Sequence, residues 1–89
     1  MLLGGERLKK DLIGKVIHYY DKIEVAIVRL EKGLKIGDKV KFEKGDNSFE
    51  QVVESMQLDH KPVSKGKPKE EVAVKVDKVT KEGTTVYSA

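Results

Sequence analysis

The sequence predicts an all-β protein, a single small six-stranded antiparallel β-barrel, on three observations. Runs rich in β-branched and aromatic residues recur at short intervals. Clusters of Gly, Asp and Asn separate them. Only one run, residues 48–59, has apolar spacing that a helix would also explain. Short strands at such spacing bury one face best by curling into a barrel, which also leaves few open edges.

Leu12 to Tyr20 (LIGKVIHYY) and Ile23 to Leu30 (IEVAIVRL) read as two strands of a hairpin joined by Asp21-Lys22, although that pair lacks the Gly that the tightest turns prefer. Tyr19 and Tyr20 are adjacent and face opposite sides, so one of them is expected at the surface. Turns follow at Glu31 to Gly33 and at Leu34 to Asp38, where Gly37 is the expected site of a positive φ. Asp38 to Lys44 alternates cleanly, with Val40 and Phe42 inward and Lys39, Lys41 and Glu43 toward water. Gly45-Asp-Asn47 is a strong turn signal. Ser48 to Asp59 carries apolar residues on both parities, which suggests a long strand with a bulge or bend; the rival is a helix built on Phe49, Val52, Val53 and Met56. Glu71 to Val79 alternates again, with Val72, Val74 and Val76 inward, and Thr84 to Ser88 closes the set after a turn at Lys81 to Gly83. Residues 1–10 are too interrupted by Gly4 and Gly5 for a firm element, so the expected division is a flexible segment 1–10 and a β-barrel 11–89.

A chain of 89 residues allows one modest core. With no Cys there is neither a disulfide framework nor a thiolate metal site. Apolar stretches such as Val25 to Val28 are far short of the roughly 20 residues a membrane span needs. Met-Leu-Leu-Gly-Gly has no signal-peptide pattern behind it, so a cytoplasmic location is expected. Abundant Lys and Glu with no Cys or Trp is a composition expected of a heat-adapted source.

The net charge of +3 is unevenly placed. The stretch His60 to Lys69 contains Lys61, Lys65, Lys67 and Lys69 and no acid, and without it the rest of the chain sums to −1. Pro62, Gly66 and Pro68 deny it regular structure, so it reads as a mobile basic loop, serving either solubility or contact with a polyanion.

A search for chemistry returns little. No phosphate loop of the Gly-x-x-x-x-Gly-Lys-Ser/Thr type is present, so nucleotide hydrolysis by that route is not expected. His18 and His60 lie far apart in the chain with no Cys to join them, which gives no metal site. Glu70-Glu71 reads as a solvated strand entrance rather than an acid-base pair, and Ser48, Ser55, Ser64 and Ser88 have no base at a telling spacing. The expectation is a non-enzyme without cofactors.

The ordered series Ile13-Gly-Lys-Val16, Ile23 to Leu30, Gly33-Leu-Lys-Ile-Gly-Asp38, Val53-Glu-Ser-Met-Gln57 and His60-Lys-Pro-Val63 resembles the second domain of translational GTPases such as elongation factor Tu. It runs from about Leu12 to Ser88, nearly the whole chain. The resemblance implies a six-stranded β-barrel of the translation-protein type. A similar barrel occurs as an appended domain in collagenase-like peptidases and in RNA-modifying relatives, so the resemblance bears on fold more than on task. The nucleotide-binding and third domains of those factors have no room here, and GTPase activity is not implied. Where they place a carboxylate against the terminal adenine of aminoacyl-tRNA this chain has Gln57, and where elongation factor Tu has a basic residue two positions on it has Asp59, which reverses the charge.

Two functional expectations follow. The first is a free-standing translation-factor-like barrel binding RNA (transfer or ribosomal) or a ribonucleoprotein surface, with Lys61, Lys65, Lys67 and Lys69 on phosphates and Gln57 and His60 offering hydrogen bonds, in a salt-sensitive manner. The alternative is a protein-interaction module docking on a separately encoded enzyme or GTPase through Ile17, Tyr19, Leu34 and Ile36.

Overall fold

The computed structural model describes residues 11–89, and the all-β expectation holds: among them there are strands and no helix. In chain order the strands are β1 (Leu12–Tyr20), β2 (Val25–Leu30), β3 (Leu34–Lys35), β4 (Lys39–Lys44), β5 (Asn47–Val52), β6 (Met56–Leu58), β7 (Lys61–Pro62), β8 (Lys65–Gly66), β9 (Glu71–Lys75) and β10 (Thr85–Ser88). The expected flexible segment 1–10 lies outside the described residues. No helix among them is long and apolar enough to cross a membrane.

The six-stranded barrel is corrected in count and in closure. Eight strands form one antiparallel sheet in the order β5-β4-β10-β1-β2-β9-β6-β7, and β3 pairs with β8 in a separate two-stranded sheet. The count rises because the run 48–59 breaks at Val53 to Ser55 into β5 and β6, which also removes the helical rival, because the basic segment supplies two short strands of its own, and because the expected turn Leu34 to Asp38 opens with β3. The sheet stays open because β5 and β7 sit at its two edges with no backbone pairing between them. A side chain spans part of the gap instead. Gln51, buried on β5, donates from Nε2 to the Lys75 carbonyl at 2.9 Å, and its Oε1 accepts the Asp77 N–H at 2.9 Å. The amide thus imitates the donor and acceptor of a strand that is not there.

The core sits on the concave side and is dominated by valine. Val40 and Phe42 on β4, Val72 and Val74 on β9 and Val76 beyond it are buried as their alternation predicts, together with Val16, Val28, Leu30, Met56 and Val86. Thr80 and Thr84 are buried too, and each hydroxyl satisfies itself locally by donating to a nearby carbonyl, of Lys78 and Lys81 respectively.

Three local features depart from or refine the sequence reading. The β1–β2 connection is four residues, 21–24, longer than the two read from the sequence, and Glu24 takes a positive φ of 56°. A bulge between Val16 and His18 on β1 puts both Ile17 and His18 on the outside. Gly14 is required where β1 crosses β2, since a Cβ there would overlap the Arg29 carbonyl oxygen. Gly37 has the expected positive φ, 97°, and Gly45-Asp46 forms a two-residue hairpin turn between β4 and β5.

The segment 59–70 is not a loose loop. Asp59 and His60 both have positive φ (53° and 66°), the signature of a tight hairpin turn between β6 and β7. Ile36 N–H donates to the Ser64 carbonyl, Val63 N–H to Met56 and Lys69 N–H to Leu30, and the Glu70 carboxylate accepts the Lys67 N–H. Pro62 and Pro68 interrupt long strands, but several backbone groups of the segment find fixed partners, which is what the composition alone could not reveal.

Candidate functional site

The six residues read as a polyanion site fall into two groups. Gln57, His60 and Lys61 belong to the β6–β7 hairpin, where Gln57 stands across from Pro62 and Lys61 from Leu58. Lys65 lies on β8 opposite Lys35, while Lys67 and Lys69 are in the turn that follows. All six side chains are exposed.

The four residues read as anchors for a protein partner also divide. Ile17 and Ile36 are exposed, at 38% and 43%. Tyr19 is half-buried and packs against the core, and Leu34 is itself a core residue, so neither is available as an exposed anchor. The exposed member of the tyrosine pair is Tyr20, whose ring meets His18 edge-on at 4.4 Å between centroids.

Sequence reasoning missed a broader apolar face. On the outer side of the sheet the register aligns His18, Ile27 and Ala73 across β1, β2 and β9, with Gln57 continuing on β6. The next row aligns Tyr20, Val25 and Lys75. Ile23 in the adjoining turn is 58% exposed and Tyr20 48%. The signal was present: Val25 to Val28 is apolar at every position, the pattern of a strand covered on both faces, while here the inner face is buried and the outer one only half-buried.

A second missed feature is a cleft of about 700 Å³ between the start of β5 and the segment 78–81. Phe42 and Phe49, stacked at 5.0 Å, line it with Val79, and the Lys78 ammonium stands 5.9 Å from the Phe49 ring centroid. Val79 is apolar at a position that the alternation of Glu71 to Val79 turns away from the core, and that was its signal.

Little else suggests reaction chemistry. His18 Nδ1 lies 3.2 Å from the Glu82 carboxylate at an exposed position. No group of three or more His, Cys, Asp or Glu able to hold a metal occurs among the described residues.

Comparison with solved structures gives the fold a counterpart. The C-terminal domain of a Geobacillus thermoleovorans protein described as a candidate U32 peptidase superposes with a TM-score of 0.83, in a match covering 88% of this chain and 99% of that one at 21% identity. A second crystal structure of that domain gives the same TM-score. The two share one fold. In sequence, the chain is 40% identical over 84 residues to an uncharacterized protease of Methanocaldococcus jannaschii. That match takes in 93% of the chain but 21% of the protease, so the chain spans about a fifth of the relative's length. No family model matches the chain.

These likenesses correct the kinship read from the sequence. They are to a protease in sequence and to a domain described as C-terminal in a candidate peptidase in fold, and they lead away from the second domain of translational GTPases. The reading as a translation-factor-like RNA binder falls with that kinship. The physical reason is that the series Gly33 to Asp38 and the valine-rich strands answer to the geometry of a small curled sheet, which proteins of different task share. Gln57 and Asp59, the positions that departed from the translation-factor pattern, were the better guide.

Proposed function

We propose that this chain is a non-catalytic protein-interaction module that docks on the catalytic part of a U32-type peptidase. The observation that carries the reading is the 40% identity with about a fifth of a protease, joined to the fold of a domain described as C-terminal in a candidate peptidase. The outer face of β1, β2 and β9 supplies the surface: exposed Tyr20 and Ile23 and half-buried Val25 and Ile27 form an apolar band. Burying exposed apolar side chains against a partner is the commonest source of docking energy, and an aromatic residue beside them is a favoured anchor. Lys75, held by the Glu24 carboxylate and the Ile23 carbonyl, frames the band with a polar rim. Cutting peptide bonds belongs, on this reading, to the partner polypeptide, and the pair works in the cytoplasm.

The test is calorimetric titration of the chain against the archaeal protease produced without its matching region. Association is expected, and Tyr20→Ser or Ile23→Asp should weaken it about tenfold, the loss of one well-buried anchor, with the melting temperature unchanged. Absence of association, or wild-type affinity in both variants, would overturn the reading. The chain alone should leave unfolded casein intact, and cleavage would assign it an active site of its own.

A further inference from the structure

We propose that the cleft between β5 and the segment 78–81 is a peptide-binding site that takes an extended acidic and apolar segment as an added strand on β5. The inference rests on the chain being an interaction module, but it uses a surface other than the β1–β2–β9 face.

The phase of the β4–β5 ladder shows what the edge offers. The two-residue turn pairs Lys44 with Asn47, and Val53 N–H donates to the Asp38 carbonyl at 2.8 Å, so residues 47, 49, 51 and 53 direct their backbone groups to β4. Ser48, Glu50 and Val52 therefore aim theirs away from the sheet, along an edge that no strand among the described residues occupies. An open edge of this kind is a template for a further strand, and natural proteins normally cover or blunt it. Here the Gln51 side chain tethers β5 to Lys75 and Asp77 and leaves the outward backbone groups of Ser48, Glu50 and Val52 to the edge. Beyond that tether, toward Asn47, the gap widens into the cleft.

The cleft specifies the side chains of the occupant. Alternation along an added strand sends every second side chain toward the cleft, where Phe49 and the 66%-exposed Val79 offer apolar contact. Lys44, Lys78 and Lys81 line the same cleft against a single acid, Asp46. Lys44 is held in place by donating to the Glu82 carbonyl at 3.0 Å. An apolar residue flanked two positions away by a carboxylate meets both demands. The three lysines would also repel a basic segment, so the site selects by charge as well as by shape.

The probe is a dye-labelled, end-capped peptide Ser-Glu-Thr-Val-Thr-Glu-Ser, whose symmetry makes strand direction immaterial, followed by fluorescence anisotropy with the intact chain. The controls replace both Glu by Lys, or Val by Ser. Saturable binding is expected, weaker by about tenfold or more for each control and falling as salt rises from about 50 to about 500 mM. Ser48→Pro removes an outward N–H without breaking a ladder bond, and Val79→Asp puts a like charge beside the ligand at an exposed position. Each should cost about tenfold or more in affinity at unchanged melting temperature. No saturable binding, equal affinity for the Glu and Lys peptides, or wild-type affinity in Ser48→Pro would overturn the proposal. Tyr20→Ser should bind the peptide normally, so loss of peptide binding and loss of protease docking are separable failures.

Discussion

Two lysine-bearing connections, 59–70 and 76–84, look alike in sequence and behave differently in the fold. Both interrupt the strand pattern with Gly or Pro, and they carry four and two lysines respectively. The first is stitched to the body by backbone bonds from Ile36, Val63 and Lys69, and its Gly66 is buried against Leu30 and Val72. The second is fixed near its ends, by Val76 N–H to the Glu24 carbonyl, Asp77 N–H to the Gln51 amide and Gly83 N–H to the Val16 carbonyl, and its middle part, 78–81, lines the cleft beside β5. The lesson is that a turn-rich, lysine-bearing stretch becomes wall or cleft according to where its backbone groups find partners, and the presence of lysines does not distinguish the two.

The comparison can be broken most forcefully from below. Phe42 is a core residue as well as the floor of the cleft, so Phe42→Ala should cost about 3–5 kcal/mol, enough to unfold much of a domain this small, read from a urea midpoint. Gly66→Ala strikes the stitched connection, because a Cβ there would crowd Leu30 and Val72 at 2.7 and 2.9 Å. A loss of about 1–3 kcal/mol is expected from overpacking, and an unchanged midpoint would show that the segment is looser than described. Gln51→Leu keeps the volume but leaves the Lys75 carbonyl and Asp77 N–H without their partner, which should cost about 1–2 kcal/mol and speed hydrogen exchange at Asp77. Smallest of all, Lys65→Ser and Lys67→Ser should shift stability by less than about 0.5 kcal/mol, since the segment is held by its backbone and not by those exposed side chains.

Strand identity was largely legible because the inner face is written in period two: Val40 and Phe42, then Val72, Val74 and Val76, are buried as the alternation requires. Turn chemistry was legible where glycine marked it, at Gly37 and Gly45, and not where Glu24, Asp59 and His60 took positive φ, since those residue types do not demand it. Closure was illegible. Whether β5 reaches the 75–77 segment through backbone pairing or only through its own Gln51 side chain depends on the bend at Val53 to Ser55, which the mixed apolar parity of Ser48 to Asp59 signalled without giving its direction. Of the anchors read from the sequence, Ile17 and Ile36 are exposed, while Leu34 is consumed by the core and Tyr19 half-consumed. The apolar band beside them was legible in principle, since Val25 and Ile27 stand at outward positions of β2.

The docking claim is tested most directly by a single environment-sensitive fluorophore, since the chain has no native cysteine to compete for it. One sample carries the dye at Ile23→Cys, on the apolar band, and a second at Lys67→Cys, on the stitched basic connection. Adding the protease that lacks its matching region should shift the Ile23 emission to the blue, as the dye leaves water, and leave the Lys67 emission where it was. A shift at Lys67 alone, or at neither position, would contradict the assignment of the β1–β2–β9 face as the docking surface.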